Sequence, residues 1–148
     1  IFANMISDSN VVSIAFRSRR FTELEGDDRI KSKQQKTKDF ENKMVEYIYR
    51  GIAYFKNKIK NPKFLLWSDN FKDLNKYFDP HIFTFVKNDY QNKIVLDFFL
   101  MQQCRNFIIG PTSFHWWAAW LSNRDNKDSI FKSSSVMPST GEIKLPKI

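Results

Sequence analysis

The sequence contains a single cysteine, four glycines and five prolines among its 148 residues. Cys104 has no second cysteine with which to form an internal disulfide, so we expect it to pack as a small apolar side chain. The low glycine and proline content argues against a disordered chain, and no GxGxxG or other glycine-rich phosphate-binding loop is present. No apolar run approaches the roughly 18 residues of a membrane span, and no signal peptide is recognisable.

Residues with metal-ligand spacing are also missing. His81 and His115 are isolated in the sequence, and Cys104 has no partner at ligand spacing. No Ser/His/Asp triad order or Walker pattern is present. We therefore expect no metal site. We also expect His115, which is followed by two tryptophans, to be a packed core histidine rather than a catalytic base.

The length and composition indicate one domain that covers residues 1–148. A chain of this length buries roughly 70% of its unfolded surface, and aromatic residues supply 16% of the sequence. The chain opens with Ile1 rather than Met and enters a predicted strand soon afterwards. We therefore expect it to be a piece of a longer protein.

The net charge of +8 is concentrated in one segment. The stretch from Arg29 to Lys63 holds eleven Lys or Arg residues against three acidic ones, so the rest of the chain is neutral overall. A basic segment of this kind can meet a nucleic acid, an anionic membrane surface or a phosphorylated ligand. It can equally be a solvated loop and helix face, and the sequence leaves these interpretations open.

Apolar patterns predict strands that alternate with helices. Short runs of β-branched and aromatic residues predict buried strands at residues 11–16, 63–67, 82–86 and 107–109, and an edge strand at 130–137. Apolar residues every three or four positions predict helices at 39–60 and 92–104, a shorter helix after residue 69 and an aromatic helix near 113–121. Residues 22–38 and 123–129 are polar and are expected to be loops. The alternation is typical of a parallel α/β sheet with helices on both faces, and we predict that fold.

Polar side chains follow three of these strands. They are Arg17 to Arg20 after the first, Ser68-Asp69-Asn70 after the second, and Thr112-Ser113 after the fourth. Ligands of parallel sheets bind beyond the carboxyl ends of the strands, so we expect these groups to converge on one site. Arg17 would present its guanidinium fork to a phosphate, and Ser68 and Asp69 are also ordinary helix N-caps.

Thr112 or Ser113 would cap the aromatic helix, whose first N–H groups then form an anion site. The other interpretation of this stretch is a buried strand–turn–helix corner. The helix is apolar on nearly every face, so we expect it to be deeply buried. Asp97 is a carboxylate inside another apolar helix, where it must find hydrogen-bond donors because burying an unpaired charge is costly. Arg105 or a backbone N–H is one candidate partner.

The run LDFFLMQQCRNFIIGPTSFHWWAAWL, from Leu96 to Leu121, resembles the C-terminal signature of the alpha-1,2-fucosyltransferase family (glycosyltransferase family 11). That signature includes Ser-Thr-Phe-Ser-Trp-Trp, and the matching residues run from Thr112 to Trp117. Thr and Ser are exchanged, and His115 replaces a Ser. The segment that ends in Ser68-Asp69-Asn70 resembles the family's Phe-Ser-Asp-Asp, with Asn70 for the second Asp.

The first strand is similar to the family's Val-Ser-Ile-His-x-Arg-Arg-Gly-Asp-Tyr motif, but its arginines differ. In the direct register, which starts at Val12, only Arg17 matches an arginine of the motif. A slip of two residues instead places Arg19 and Arg20 on the arginine pair. Both registers remain open.

The resemblance implies the Rossmann-like, donor-binding half of a two-domain glycosyltransferase of the GT-B type, with the acceptor domain missing from this chain. It implies an inverting transfer of L-fucose from GDP-fucose to a glycan acceptor in alpha-1,2 linkage, with no metal or other cofactor. Asp97 would contact guanine, Glu25 is the candidate base, and Arg17 is the candidate catalytic arginine. The implied donor-binding residues are Arg17, Arg19, Arg20, Ser68, Asp69, Asp97, Thr112 and Ser113.

Two other functions remain as alternatives. One is a nucleotide-sugar-binding remnant without catalysis, and the other is a basic nucleic-acid-binding module. The aromatic residues fall on apolar stripes rather than beside the lysines, so we expect no nucleic-acid partner. If the source is bacterial, we expect a cytoplasmic protein; the alternative is a peripheral membrane protein that contacts the membrane through the segment from Arg29 to Lys63. A eukaryotic source would imply the Golgi lumen.

Overall fold

The computed structural model describes residues 6, 9–18, 30–88, 91–122, 128–131 and 143–144. These residues form a six-stranded sheet in the order β3-β2-β1-β4-β5-β6. Strands β1 to β5 pair in parallel, and β6 pairs antiparallel with β5. The strands are β1 Val11–Phe16, β2 Lys63–Ser68, β3 Phe83–Phe85, β4 Asn106–Ile109, β5 Asp128–Phe131 and β6 Ile143–Lys144. The predicted parallel α/β fold is therefore confirmed.

Within the described ranges, three α-helices connect the strands: α1 Ile30–Lys58, α2 Lys93–Gln102 and α3 Ser113–Trp120. The loop predicted at residues 22–38 is wrong from residue 30 onward, because α1 begins there. Lys and Gln are good helix formers, and extending an existing helix costs far less than nucleating one, so this polar run joins the amphipathic part of α1. None of the helices among the described residues is long and apolar enough to cross a membrane.

Two smaller predictions are also corrected. The helix predicted after β2 is only a 3-10 turn at Leu74–Lys76, preceded by Asp73 in the left-handed region with φ of 63°. That backbone conformation is incompatible with an α-helix running through residue 73. The strand predicted at 130–137 begins at Asp128, and β6 covers its outer side, so it is not the edge strand.

The sheet is covered on both faces, as the alternation of side chains in its strands requires. Val12, Ile14 and Phe16 of β1 belong to one core cluster, together with apolar side chains of α1. Val11 of β1 belongs to a second cluster that contains Met101 of α2 together with Ala118 and Ala119 of α3. The chain is thus a three-layer α/β sandwich with β1 and β4 at its centre.

The strand order places a topological switch point between β1 and β4, because the connections from these two strands lead to opposite sides of the sheet. Gly110, just past β4, packs closely against the end of β1. A Cβ at Gly110 would lie 2.8 Å from Met44 Cε and 3.3 Å from the Ala15 carbonyl oxygen. The small residue therefore lets the ends of β1 and β4 approach each other, where a crevice forms beyond the sheet.

Candidate functional site

A cavity of about 450 Å³ lies beyond the carboxyl ends of β1 and β2 and extends to the segment that follows β4, next to the switch point. One side of it is formed by the strand ends and by the start of α3, and the other by α2. The lining residues are Ala15, Phe16, Arg17, Trp67, Ser68, Asp69, Lys93, Ile94, Asp97, Met101, Thr112 and Phe114. The cavity thus combines apolar walls with two basic and two acidic side chains.

The structure brings together most of the predicted site residues. Arg17, Ser68, Asp69, Asp97 and Thr112 all line this one cavity, so the expected convergence of three strand ends is present. Ser113 is exposed at the first turn of α3 and is not part of the cavity wall. The remaining predicted residues, Arg19, Arg20 and Glu25, lie outside the described residues.

Asp69 ties the end of β2 to the end of β1. Its Oδ1 accepts hydrogen bonds from the backbone N–H of Ser18 at 3.0 Å and from the Ser18 hydroxyl at 3.4 Å. The Ser68 hydroxyl donates to the Asn70 carbonyl at 2.9 Å and accepts from the Asn70 N–H at 3.2 Å. Neither side chain caps an α-helix, which corrects the capping interpretation. Asp69 instead holds the turn that follows Arg17.

Asp97 is buried, with 9% of its surface exposed, and it accepts a hydrogen bond from the Asn88 side-chain amide. Burial raises the pKa of Asp97, and the Asn88 hydrogen bond and the nearby Lys93 charge oppose that shift. The proposed Arg105 partner is wrong, because the donor that the structure shows is Asn88. Arg105 Nε is itself buried without a hydrogen-bond partner.

The start of α3 forms another part of the cavity wall. Thr112, not Ser113, is the N-cap, and its hydroxyl accepts from the His115 N–H at 3.4 Å. The Thr112 N–H donates to the Gly110 carbonyl at 2.8 Å. By helix geometry, the N–H groups of Ser113 and Phe114 have no acceptor inside the helix. They and the helix dipole favour an anion at this end.

His115 is completely buried, which confirms the prediction of a core histidine. Its Nε2 lies 2.9 Å from Ser13 Oγ, and the Trp67 indole N–H donates to the same oxygen at 3.0 Å. Burial lowers the pKa of His115 to about 3, so the imidazole is neutral near pH 7. The sequence analysis missed these bonds, although a serine in an otherwise apolar strand was a signal for them.

Sequence reasoning also missed Lys93, which adds a cation beside Asp97, and the apolar wall residues Ile94, Met101 and Phe114. No metal-binding group of three or more His, Cys, Asp or Glu side chains is found in the part of the chain that the structure describes.

The expectation that the aromatic helix is deeply buried is wrong. Along α3, Phe114 is 37% exposed, Trp117 49% and Trp120 36%. Ile94 and Phe99 of α2 are still more exposed, and the Phe98 and Phe114 rings join the two helices with centroids 5.2 Å apart. Apolar composition predicts that a helix face will be covered, but it does not identify the covering element. The outward faces of α2 and α3 therefore form an exposed apolar surface beside the cavity.

A doubly wound parallel sheet with a cavity at its switch point defines a Rossmann-like α/β domain. The comparison with protein families is more specific. The model of glycosyl transferase family 11 matches residues 27–137, and this chain belongs to that family. The expectation drawn from the sequence resemblance is confirmed at the level of this family of glycosyltransferases.

Two curated relatives, both from Escherichia coli, show the same relationship. The chain is 28% identical to the O-antigen biosynthesis glycosyltransferase WbnK over 85 residues, which cover 56% of this chain. It is 33% identical to an alpha-1,2-colitosyltransferase over 85 residues, which cover 53% of this chain. The chain spans only 28% of the length of each relative. No solved structure matches the chain significantly.

Proposed function

We propose that this chain forms the donor-binding part of an inverting glycosyltransferase that transfers L-fucose from GDP-fucose to a sugar hydroxyl in alpha-1,2 linkage. The observation that carries the proposal is the cavity at the switch point, where Arg17 and the capped start of α3 occur together with the buried carboxylate of Asp97. A guanidinium and a helix start suit a diphosphate, and a carboxylate suits the two N–H groups on the edge of guanine. Membership of glycosyl transferase family 11 supports a nucleotide-sugar donor.

In the proposed mechanism, a base removes the acceptor proton, the acceptor oxygen attacks the anomeric carbon from the face opposite the diphosphate, and GDP departs. Arg17 and the N–H groups at the start of α3 offset the charge that develops on the leaving diphosphate. Glu25 is the candidate base, and Arg19 or Arg20 replaces Arg17 if the arginine motif is slipped by two residues. We assign charge compensation to these groups rather than to a metal ion.

The apolar wall also has a role in this proposal. Trp67, Met101 and Phe114 enclose the cavity, and their low polarity strengthens the electrostatic interactions of the charged groups that face it. Asp97 has one oxygen bonded to Asn88, and its second oxygen remains available to accept from a guanine N–H. Asp97 therefore lines the cavity and is also the residue proposed to contact guanine.

A colitosyl donor is the second candidate, because one relative is named an alpha-1,2-colitosyltransferase. The third candidate is a domain that binds a nucleotide sugar without transferring it.

We also propose that the basic segment from Arg29 to Lys63 contacts an anionic membrane surface from the cytoplasmic side, because exposed lysines such as Lys36, Lys43 and Lys56 lie along α1.

Isothermal titration calorimetry tests the donor assignment. We expect GDP and GDP-fucose to bind, GDP-colitose to be the closest competitor, and UDP-sugars to bind weakly or not at all. Binding should persist in EDTA, because arginine and helix N–H groups compensate the phosphate charge. Preference for UDP-sugars would contradict the donor assignment, and loss of GDP binding in EDTA would contradict the metal-free mechanism.

A further inference from the structure

Ser13 is a polar residue in the middle of the central strand, and it is completely buried. Its hydroxyl oxygen accepts the Trp67 indole N–H at 3.0 Å and lies 2.9 Å from His115 Nε2. These three side chains come from β1, β2 and α3, so one hydroxyl group joins three elements of the sandwich. Most side-chain hydrogen bonds in proteins are made to the backbone or to water, so two consecutive hydrogen bonds between buried side chains are unusual.

The direction of these hydrogen bonds follows from the available protons. The indole nitrogen can only donate, so Ser13 Oγ accepts from Trp67 and has its own proton left to donate. Donation to His115 Nε2 uses that proton and leaves only the Nδ1–H of His115 without a partner. The opposite direction would leave both the Ser13 proton and the Nδ1 lone pair unused. The first arrangement therefore costs less, because it leaves one group unsatisfied instead of two. In either arrangement His115 Nδ1 has no hydrogen-bond partner among the described residues.

The hydrogen bonds that join Trp67, Ser13 and His115 link two parts of the cavity wall. Trp67 lines the cavity directly and comes just before Ser68, the last residue of β2, and Asp69, which follows the strand. His115 lies in the first turn of α3, and its N–H is held by the hydroxyl of Thr112, which also lines the cavity. Ser13 and His115 do not line the cavity themselves. They connect its wall on β2 to its wall at the start of α3.

We infer that Ser13 and His115 are positioning residues for the ligand site, which set the plane of the Trp67 ring and the location of the α3 start relative to β1. This inference rests on the proposed function, because it takes the cavity to be the nucleotide site. A site held by packed and hydrogen-bonded supporting groups keeps its geometry within a fraction of an ångström, and affinity depends on that accuracy.

The test compares Ser13→Ala with Ser122→Ala. Ser122 is also a buried serine, and its hydroxyl donates to the Cys104 carbonyl at 2.9 Å, but it does not line the cavity. Both variants lose one buried hydroxyl. The chain is labelled with 5-fluorotryptophan, which gives one fluorine NMR signal for each of its four tryptophans, and Trp67→Phe assigns the Trp67 signal.

We expect Ser13→Ala to shift the Trp67 signal in the free protein and to weaken GDP binding about tenfold. Ser122→Ala should leave both unchanged. Ser13→Thr, which keeps the hydroxyl, should restore the Trp67 signal and the affinity. The inference is overturned if Ser13→Ala and Ser122→Ala give the same Trp67 signal and the same GDP affinity, or if Ser13→Thr binds as weakly as Ser13→Ala.

A second pair of variants tests the inference if Ser13→Ala does not fold. His115→Gln keeps a polar atom that can reach Ser13, whereas His115→Leu removes it, so only His115→Leu should reproduce the weakened binding. Unfolding of both Ser13→Ala and His115→Leu would show a purely structural role and overturn the inference. If the unaltered chain binds no nucleotide, the proposed function fails, and the Trp67 signal of the free protein still decides whether Ser13 positions the ring.

Discussion

In the proposed donor complex, Arg17 contacts the phosphates and not the guanosine, because it follows β1 directly and lines the cavity beside Asp69. We expect Arg17→Ala to weaken GDP binding by about 10- to 100-fold, which corresponds to a charge-assisted hydrogen bond of about 1.5–3 kcal/mol. Guanosine binding should change little, because guanosine lacks the diphosphate. Calorimetry with both ligands measures the difference.

The control for this prediction is Arg50→Ala, which removes an exposed arginine of α1 that does not line the cavity. It should leave GDP affinity unchanged. An unchanged affinity in Arg17→Ala, together with a loss in Arg19→Ala or Arg20→Ala, would instead establish the slipped register of the arginine motif.

For Asp97, the proposed role in guanine binding can be tested separately from a role in folding. Asp97→Asn keeps an oxygen that can accept from Asn88, and it removes the charge whose burial raises the pKa of this carboxyl group. We therefore expect the free energy of unfolding at pH 7 to stay equal or to rise. The preference for GDP over ADP should fall about tenfold, because the variant offers guanine one acceptor fewer.

Equilibrium denaturation in urea and competitive titration of GDP against ADP measure the two effects of Asp97→Asn. A variant that is strongly destabilised, with an unchanged preference for guanine, would show that Asp97 serves only the fold.

His115 should make the fold sensitive to acid. Its pKa in the folded chain is about 3, below the ordinary value of 6.5, so the unfolded chain binds a proton that the folded chain does not bind between these pH values. Stability is therefore complete above pH 6.5 and falls as the pH drops towards 3, by up to about 1.4 kcal/mol per pH unit. Urea denaturation at pH 7 and at pH 4.5 measures the loss.

His115→Gln is the matched comparison for the acid sensitivity. The carboxyl groups of Asp97 and Glu41 have raised pKa values, so they change the stability with the opposite sign as the pH falls. Both groups are present in the unaltered protein and in the variant. The difference between the two chains therefore isolates His115. Parallel loss of stability in both chains would show that the imidazole is protonated without unfolding.

At the scale of single elements, α3 depends on its N-cap. Thr112→Ala removes the hydroxyl that accepts from the His115 N–H, and we expect a loss of about 1 kcal/mol in the free energy of unfolding. Thr112→Ser should retain most of the stability. Ser113→Ala should be nearly silent, because Ser113 is exposed and is not the N-cap. Urea denaturation of the three variants checks this order, and equal losses in Thr112→Ala and Ser113→Ala would contradict it.

The strands were predictable from sequence because their signals are local. The run from Val11 to Phe16 is β-branched and almost free of polar residues, and its predicted bounds match those of β1. The start of α1 was missed because Lys and Gln supply helix propensity without apolar periodicity. The helix after β2 was missed because the left-handed backbone of Asp73 leaves no pattern in the sequence.

The candidate site could be predicted only in part, for a different physical reason. Strand ends of a parallel sheet meet at one edge whatever their side chains are, so the convergence of Arg17, Asp69 and Thr112 follows from the fold. The fold alone does not determine which residue becomes the hydrogen-bond partner of Asp97. Asn88 lies nine residues before Asp97 and outside α2, and the sequence pattern gives no indication of the pairing.

At the scale of the whole molecule, we expect this chain alone to bind the donor without transferring the sugar. Transfer requires the acceptor oxygen and the anomeric carbon to be held in line, an effect of several kcal/mol that needs walls on both sides of a cleft. This chain spans 28% of the length of the two curated relatives, and the proposed donor cavity forms only one wall of such a cleft. Incubation with GDP-fucose and galactose-terminated acceptors, followed by mass spectrometry, should show at most slow hydrolysis.

The opposite outcome would also be informative. Robust turnover that is lost in Glu25→Gln would show that this chain binds the acceptor by itself and that Glu25 is the base. Turnover that survives in Glu25→Gln would remove Glu25 from the mechanism.

The central position of β1 also governs when the chain can fold during synthesis. β1 pairs with β4, and the hydrogen bond between Asn106 and Val11 joins residues 95 positions apart. At about 5–20 residues per second, β4 leaves the ribosome roughly 5–20 s after β1. Throughout that interval the edge of β1 that pairs with β4 is unpaired, and such an edge is a template for aggregation. We therefore expect the sheet to form only after β4 has been synthesised, and the yield in cells to depend on chaperones that bind the nascent chain.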